Sequence, residues 1–334
     1  MSHTSVGIIF GGANTEHEVS CSSAEGVLGS LDRERFAPVL LGVDKRGGWH
    51  RLDSIGGLAT AGTGTLLPDL TGIDVVLPVL HGRFGEDGTV QGLLDLAGIP
   101  YVGNGVLASA LAMDKLLCQN VLAAAGLPTI PTVAVTELDR SGAAAGADQL
   151  GYPVFVKPNR SGSSVGVSRV DTAEQLDAAI GLALSSDSTA LIQPLIDATE
   201  VDLGVLQAAD GSLSIGAPLR IRPSGGSTFF DYASKYTDGG HEFEVPAKLD
   251  SLAATRLEAF ALAAFRALGC EGLARVDFFL DEAGTITLNE VNTMPGMTAL
   301  SQYPTMWDVV GVDYRQLLNR LIDRALVARP ARTA

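Results

Sequence analysis

Short apolar runs alternate with helical patterns through the first hundred residues of the chain. The predicted strands cover residues 6–10, 39–43 and 75–80, and the predicted helices cover residues 20–31 and 88–96. Alternation of strands with helices indicates a parallel α/β layer, in which helices cover the sheet. Residues 44–69 are rich in Gly, Thr and Ala, which predicts loop and edge structure.

The rest of the chain lacks this regular alternation and is predicted to be α+β. A segment rich in Ala, Leu and Met at 108–125 predicts one long helix that ends at Gly126. Thr172 and Gln175 have the spacing of a capping box, which predicts a helix from there to residue 184. Further strands are predicted at 154–157, 165–170, 190–194 and 201–207, and further helices at 251–268 and 314–328.

Two breaks in the pattern divide the chain into three predicted domains. They are an N-terminal α/β domain (1–103), a small central α+β domain (104–192) and a larger C-terminal α+β domain (193–334). Residues 222–240 have no periodicity, and a loop of that length in a compact domain is usually functional. Its aromatic residues favour a lid over a substrate, with loop packing as the alternative; they are Phe229, Phe230, Tyr232 and Tyr236.

The 334 residues include 23 Lys and Arg against 38 Asp and Glu, a formal charge of −15. Such acidity argues against binding nucleic acid or anionic membranes, because both need a basic protein face. No apolar run reaches the roughly 18–20 residues of a membrane span, and the N-terminus lacks signal-peptide features, so a cytoplasmic protein is expected. Lysine is scarce beside arginine, which draws attention to each lysine; they are Lys45, Lys115, Lys157, Lys235 and Lys248.

The strongest chemical signal is a predicted hairpin with a two-residue loop at 283–284. This loop pairs Asp277 with Glu290, and Arg275 with Asn292. Side chains alternate along strands, so all four lie on one face. Two carboxylates and a carboxamide oxygen suit Mg²⁺ bound with phosphates, and the arginine can hold phosphoryl or carboxylate oxygens. A solvated polar face is the alternative, but this register favours a metal site.

A Gly/Ser-rich loop at 158–164 follows Lys157, which closes a predicted strand. Such a loop can donate backbone N–H groups to a polyphosphate, and the lysine adds positive charge. The stretch also matches G-x-S-x-G with Ser164 as nucleophile, but that motif requires strand–turn–helix, and here a strand follows. A surface hairpin is the alternative, and the loop alone is a weak signal.

Three further polar residues occupy positions where ligands are often bound. Glu16 lies in the first strand-to-helix turn, where it can receive an ammonium group, and His81 follows a strand at its carboxyl end. Lys115 lies on the predicted long helix, where a solvated surface lysine is the alternative. The first turn lacks G-x-G-x-x-G, which counts against a dinucleotide-dependent oxidoreductase, and no His/Cys cluster indicates zinc.

Together these segments resemble the D-alanine–D-alanine ligase family of the ATP-grasp superfamily over nearly the whole chain. The matching segments are FGGANTEHEVS (10–20), LHGRFGEDGTVQG (80–92), GNGVLASALAMDK (103–115), VKPNRSGSSVG (156–166), FDYASKY (230–236) and NEVNTMPGMT (289–298). Each motif is weak alone, but their common order is specific. The resemblance implies a three-domain ATP-grasp fold and the ATP-dependent joining of two D-alanines for peptidoglycan precursors, with release of ADP and phosphate.

The resemblance also implies roles for individual residues. Glu16 and His81 would bind the first D-alanine, whose carboxylate attacks the γ-phosphate of ATP to give an acyl phosphate. The amine of the second D-alanine would then attack this intermediate. Arg275 and the Gly296 amide would stabilise the oxyanion, and Ser301 would bind the second carboxylate.

Metal and nucleotide positions are implied in the same way. Asp277, Glu290 and Asn292 would hold two Mg²⁺ ions, or Mn²⁺ in their place, and activation by a monovalent cation is left open. A homodimer is expected. The residues implied to contact ATP are Lys115, Lys157, Ser163, Ser164, Gln193, Ile196, Glu200 and Lys235. The segment from Gln193 departs from the family, which usually begins it with Glu.

Other functions stay open beside this one. A related ligase could use D-lactate or another acceptor, although Tyr236, which the resemblance links by hydrogen bonds to Ser163 and Glu16, favours the dipeptide. A dinucleotide-dependent oxidoreductase is a remote alternative. A non-catalytic nucleotide sensor is expected to lack the full set of metal ligands.

Overall fold

The computed structural model describes residues 3–162, 165–223 and 241–328. The N-terminal elements are β1 (Thr4–Gly11), α1 (His17–Ser30), β2 (Phe36–Val43), β3 (Trp49–Leu52), a 3₁₀ helix (Ile55–Thr60), β4 (Val75–Pro78) and α2 (Thr89–Ala97). The sheet order is β3-β2-β1-β4; β1 is parallel to β2 and β4, and β3 is an antiparallel edge strand. The predicted parallel α/β layer is confirmed.

A second sheet follows and is antiparallel. Its region comprises α3 (Val106–Met113), α4 (Lys115–Ala124), β5 (Val133–Thr136), α5 (Ala143–Leu150), β6 (Val154–Pro158), β7 (Ser168–Val170), α6 (Ala173–Leu184) and β8 (Thr189–Pro194). The strand order is β5-β8-β6-β7. Apolar residues of α5 and α6 form one core with this sheet.

The third sheet carries the predicted hairpin. Its region comprises β9 (Thr199–Gln207), β10 (Leu213–Ile215), β11 (Leu219–Pro223), β12 (His241–Glu244), α7 (Ser251–Ala267), β13 (Leu273–Leu280), β14 (Ile286–Asn292), α8 (Gln302–Asp308) and α9 (Tyr314–Ala328). The strand order is β12-β11-β9-β13-β14, and β10 pairs with β9. The mixed α/β and α+β class is confirmed, and the domain limits near residues 103 and 193 stay predictions.

The prediction of one long helix in the Ala-rich segment is wrong. The segment breaks at Asp114 into α3 and α4, which meet at a bend of 106°. Asp114 has an extended backbone, and its Oδ1 accepts a hydrogen bond from the Leu117 N–H at 3.0 Å, so it caps α4. Asn159 secures the same turn, because its backbone and side-chain oxygens accept from the N–H groups of Lys115 and Leu116.

The predicted capping box of α6 is also wrong. Thr172 precedes the helix, as expected, but its side chain makes no capping hydrogen bond. The Oε1 of Gln175 instead accepts from the N–H of Asp171 at 2.8 Å. The position of the helix start was therefore predictable, whereas its hydrogen bonds were not.

The β13–β14 hairpin has the predicted pairing at its polar end but a different loop. Asp281 N–H donates to the Thr285 carbonyl, which encloses three residues, and Gly284 has a positive φ of 81°. The longer loop shifts the register, so that Phe278 pairs with Leu288. An irregularity next to this pair adds one residue on β14 and restores the predicted pairs.

Helix α9 positions the loop after β14 beside the N-terminal layer. One side of the helix is apolar and buried, and its residues Leu317 and Ile322 share a core with Val6 of β1. Met294 and Met297 from the loop belong to the same core. The N-terminal layer and the hairpin therefore meet around this loop.

Within the described part of the chain, no single helix has both the length and the apolar character needed to cross a membrane. Helices α3 and α4 reach that length and composition only as a pair, and the sharp bend separates them.

Candidate active site

Four polar side chains meet on one face of the β13–β14 hairpin. Arg275 donates to both oxygens of Asp277, from Nε to Oδ1 and from Nη2 to Oδ2, each at 2.7 Å. Asn292 Nδ2 donates to Asp277 Oδ2 at 2.8 Å. Glu290 pairs with Asp277 across the strands, and its Oε2 lies 3.7 Å from Lys115 Nζ. The structure thus brings together the residues that the sequence placed on one face.

Arg275 is a buried cation held by carboxylates. Its side chain is 14% exposed, and its Nε lies 3.7 Å from Oδ2 of the fully buried Asp202. Burial by itself lowers the pKa of an arginine, but the carboxylate of Asp277, with those of Asp202 and Glu290, raises the pKa of Arg275 above its usual range. The guanidinium therefore stays charged and can stabilise a developing oxyanion.

The donor atoms on this face fit a hard divalent cation. Asp277 Oδ1 accepts from Arg275 Nε and has a second lone pair that can ligate a metal. Asn292 directs its amide nitrogen to Asp277, which leaves its carboxamide oxygen as the ligand atom. Carboxylate oxygens of Glu200, Asp202 and Asp277 lie within 4.8 Å of one another, so the face is strongly negative.

Lys115 connects the hairpin to the loop after β6. Its Nζ donates to the Ser161 carbonyl at 2.8 Å and lies within ion-pair distance of Glu290. Lys115 is the first residue of α4, so its position depends on the helix break at Asp114. The sequence left open a solvated surface lysine, but the side chain is only 14% exposed and lies at the polar face.

His81 connects the loop after β14 to the N-terminal layer. Its Nδ1 lies 3.2 Å from the Met294 carbonyl oxygen, and its Nε2 lies 2.9 Å from Ser23 Oγ. A carbonyl only accepts, so Nδ1 carries the proton and Nε2 accepts from the Ser23 hydroxyl. Burial lowers the pKa of His81, which favours this neutral ring. Ser23 Oγ also accepts from the Met297 N–H at 3.4 Å, so the loop is fixed at two points.

Glu16 lies between two glycines of neighbouring loops. A Cβ on Gly82 would lie 2.1 Å from Glu16 Oε2, and one on Gly162 would lie 3.2 Å from it. Asn14 fixes this turn, because its Oδ1 accepts from the Glu16 N–H and its Nδ2 donates to the His81 carbonyl. Glu16 is therefore placed beside the Gly/Ser-rich loop, as an ammonium receptor near that loop requires.

The loop after β14 brings Gly296 close to Ser301. A Cβ on Gly296 would lie 2.9 Å from Ser301 Oγ, so a larger residue would displace the serine. Ser301 Oγ accepts from the Thr298 N–H at 3.1 Å. Ser301 directly precedes α8. The two groups predicted to act on the second substrate are thus neighbours.

The predicted nucleotide side is less clearly assembled. Lys157 is half-buried on β6, and Ile196 is half-buried just beyond β8. Gln193 is 3% exposed, and its Nε2 donates to Thr132 Oγ1 at 2.8 Å. The Gln193 side chain therefore links β8 to the segment before β5, so it has a structural contact in addition to its predicted contact with ATP. Glu200, one of the predicted ATP contacts, lies close to Asp277 on the polar face.

Several predicted residues lie outside the described part of the chain, and their roles stay predictions. They are Ser163, Ser164, Lys235 and Tyr236, together with the lid residues Phe229, Phe230 and Tyr232.

Glu86 is a candidate functional residue that the sequence analysis did not identify. Its Oε2 accepts from the Gly82 N–H at 2.7 Å. Burial, with a smaller contribution from the nearby Glu16 carboxylate, raises the pKa of Glu86 to about 8. Glu86 lies in the 80–92 motif, but that motif does not reveal which charges surround it in space. Asp202 was missed as well, although it lies on the strand predicted at 201–207. The observed β9 also includes Glu200, two residues away, so both side chains lie on one face.

Replacing Glu86 with glutamine is expected to change the pH dependence of stability. The raised pKa means that the folded protein keeps a proton that the unfolded chain has lost between pH 4.5 and about 8, so stability falls as pH rises through this window. Glutamine still accepts from Gly82 and carries no charge. The thermal midpoint of the variant minus that of the wild type should therefore rise between about pH 5 and about pH 8 and level off above it. Parallel pH curves for the two proteins would contradict the assignment.

Comparisons with known proteins show which family the chain resembles along its length. The chain matches the family models described as D-ala D-ala ligase N-terminus, over residues 5–104, and D-ala D-ala ligase C-terminus, over residues 121–323. The D-alanine–D-alanine ligase of Nocardia farcinica is 43% identical over 351 aligned positions, which cover 96% of this chain and 96% of that relative.

Solved structures show the same similarity. The VanG D-Ala:D-Ser ligase from Enterococcus faecalis is 34% identical with a TM-score of 0.84, over 97% of this chain and 100% of that chain. The D-alanine–D-alanine ligase from Bacillus anthracis complexed with ATP is 31% identical with a TM-score of 0.80, over 98% and 99% of the two chains. Sequence and fold thus agree along nearly the whole length, and the chain belongs to the D-alanine–D-alanine ligase family.

Proposed function

We propose that the protein joins two D-alanines to D-alanyl-D-alanine and converts ATP to ADP and phosphate, for peptidoglycan precursor synthesis. The observation that carries the proposal is the hairpin face, where Asp277, Glu290 and Asn292 meet the buried cation Arg275. Lys115 joins this face to the Gly/Ser-rich loop. Hard ligands and fixed cations at one point suit the transfer of a phosphoryl group to a carboxylate.

In the first step, the carboxylate of one D-alanine attacks the γ-phosphorus of ATP. The new O–P bond gives D-alanyl phosphate, and the bond to the bridging oxygen breaks to release ADP. Glu16 receives the ammonium group of this D-alanine, and Lys115 and Lys157 offset the phosphate charge. Asp277 and Glu290, with Asn292, would hold Mg²⁺, which would neutralise charge on the phosphoryl group.

In the second step, the amine of the other D-alanine attacks the carbonyl carbon of D-alanyl phosphate. The Arg275 guanidinium and the Gly296 N–H stabilise the negative oxygen of the tetrahedral intermediate, which then expels phosphate while the attacking nitrogen loses a proton. Ser301 binds the carboxylate of the attacking molecule. His81 holds the loop that contains Gly296, because it is bonded to the Met294 carbonyl.

The direct test is phosphate release by the purified protein with ATP and Mg²⁺. Release is expected to depend on D-alanine and to be accompanied by formation of D-alanyl-D-alanine. The groups that bind the ammonium and the carboxylate have fixed positions, so they accept only one enantiomer of the amino acid. D-Serine and D-lactate, supplied with D-alanine, measure how strictly the second site selects its acceptor. Release that is no greater with D-alanine than with L-alanine or with no amino acid would contradict the proposal.

Two further properties belong to this proposal. ATP consumption supports a cytoplasmic location, since ATP is supplied there. The family resemblance supports a homodimer, and light scattering of the purified protein measures its mass in solution.

A further inference from the structure

Asp202 lies on β9, next to the polar face of the hairpin, but has no part in the two steps above. It is 0% exposed and pairs with Asp277 across β9 and β13. Burying a carboxylate costs free energy unless cations and hydrogen-bond donors surround it. The groups that surround Asp202 therefore indicate what it does.

A single oxygen of Asp202 lies between the strand and the start of α8. Asp202 Oδ2 accepts from Gln302 Nε2 at 2.8 Å and lies 3.7 Å from Arg275 Nε. Gln302 is the first residue of α8, and Ser301 directly precedes it. Asp202 Oδ2 thus contacts both Arg275, which is proposed to bind the oxyanion, and Gln302. Gln302 is the neighbour of Ser301, whose hydroxyl is proposed to bind the carboxylate.

The packing of α8 makes this connection rigid. Gly204 faces Arg275 across the strands, and a Cβ on Gly204 would lie 3.1 Å from the Tyr303 ring and 3.2 Å from Met306 Sδ. The helix therefore lies directly on the β9 backbone. Tyr303 OH donates to the Val205 carbonyl at 2.7 Å, which fixes the distance between α8 and β9. The Asp202–Gln302 bond then fixes where its first turn lies.

We propose that Asp202 is a positioning residue for the second D-alanine. It sets the separation between Arg275, which meets the developing oxyanion, and Ser301, which meets the carboxylate of the attacking molecule. This inference rests on the proposed function. It assigns Asp202 to the acceptor half of the reaction, whereas formation of D-alanyl phosphate proceeds without it.

Hydroxylamine separates the two halves, because it is an acceptor without a carboxylate. Its nitrogen attacks the carbonyl of D-alanyl phosphate, a C–N bond forms, phosphate leaves and a proton is lost, which gives D-alanine hydroxamate. Asp202→Asn removes the charge, and Gln302→Met removes the hydrogen-bond donor. Each variant is expected to raise KM for the second D-alanine by about tenfold, the value of one charge-assisted hydrogen bond. Hydroxylamine-dependent phosphate release should stay within about twofold of the wild type.

The double variant and one control sharpen the test. Asp202→Asn with Gln302→Met should raise KM no further than Gln302→Met alone, because both changes act on the same hydrogen bond: the first removes its charge and the second removes its donor. Asp210→Asn is the control, since Asp210 is exposed in the turn after β9 and is bonded to Ser212; it should leave both acceptors unaffected.

Equal losses with D-alanine and hydroxylamine, or no loss in either variant, would overturn the positioning role. A wild-type protein that releases no D-alanine-dependent phosphate with either acceptor would instead refute the proposed function. The two failures are therefore distinguishable.

Discussion

Replacing Glu290 with glutamine is expected to reduce D-alanine-dependent phosphate release by about a thousandfold, because a metal ligand contributes several kcal/mol to the transition state. Glutamine has the same shape but lacks the charge that offsets a divalent cation and Lys115. The Glu290 side chain is 25% exposed, so the change should cost little stability. Initial rates measured across a range of Mg²⁺ concentrations test this, and the variant should need more Mg²⁺ than the wild type.

Glu282 supplies the matched control. It lies in the exposed loop of the same hairpin, away from the polar face, so Glu282→Gln should leave the rate and the Mg²⁺ dependence unchanged. If Glu290→Gln retained wild-type turnover, Glu290 would have no place among the metal ligands.

The polar hairpin could be predicted from sequence because its information is local. The two strands are adjacent in the chain, and their alternation fixes which residues share a face. The loop was still predicted with one residue too few. Its three-residue form and the irregularity near Phe278 offset each other, so the pairing of Asp277 with Glu290 was right although the predicted loop was not.

Features that depend on distant residues could not be predicted in this way. The break before Lys115 depends on Asn159, which lies in the turn directly after β6 and accepts from the first turn of α4. The raised pKa of Glu86 depends on burial and on Glu16, which is far away in sequence. The environment of Asp202 likewise requires α8 to lie on β9. Local patterns identify such residues as polar but give no account of their surroundings.

Replacing Arg275 with methionine is expected to impair both stability and catalysis. Asp277 and Asp202 are each 0% exposed, and they would lose the cation that compensates them. Leaving a buried charge without its partner costs about 3–5 kcal/mol, so thermal or urea unfolding should shift strongly. Turnover should fall by about a hundredfold to a thousandfold, the effect of removing one oxyanion donor.

The pH dependence and a second substitution identify the cause of this loss. Buried carboxylates without a cation take up protons as pH falls, so the deficit in unfolding free energy should be larger near neutral pH than in mild acid. Adding Asp202→Asn should restore part of the stability, because one uncompensated charge disappears. Arg169→Met, at a solvent-exposed pair with Asp171, is the control and should change stability little. A loss of unfolding free energy as small as that of the control would mean that Arg275 does not compensate the charge of the buried carboxylates. The assignment of Arg275 to the oxyanion would then lose its electrostatic basis.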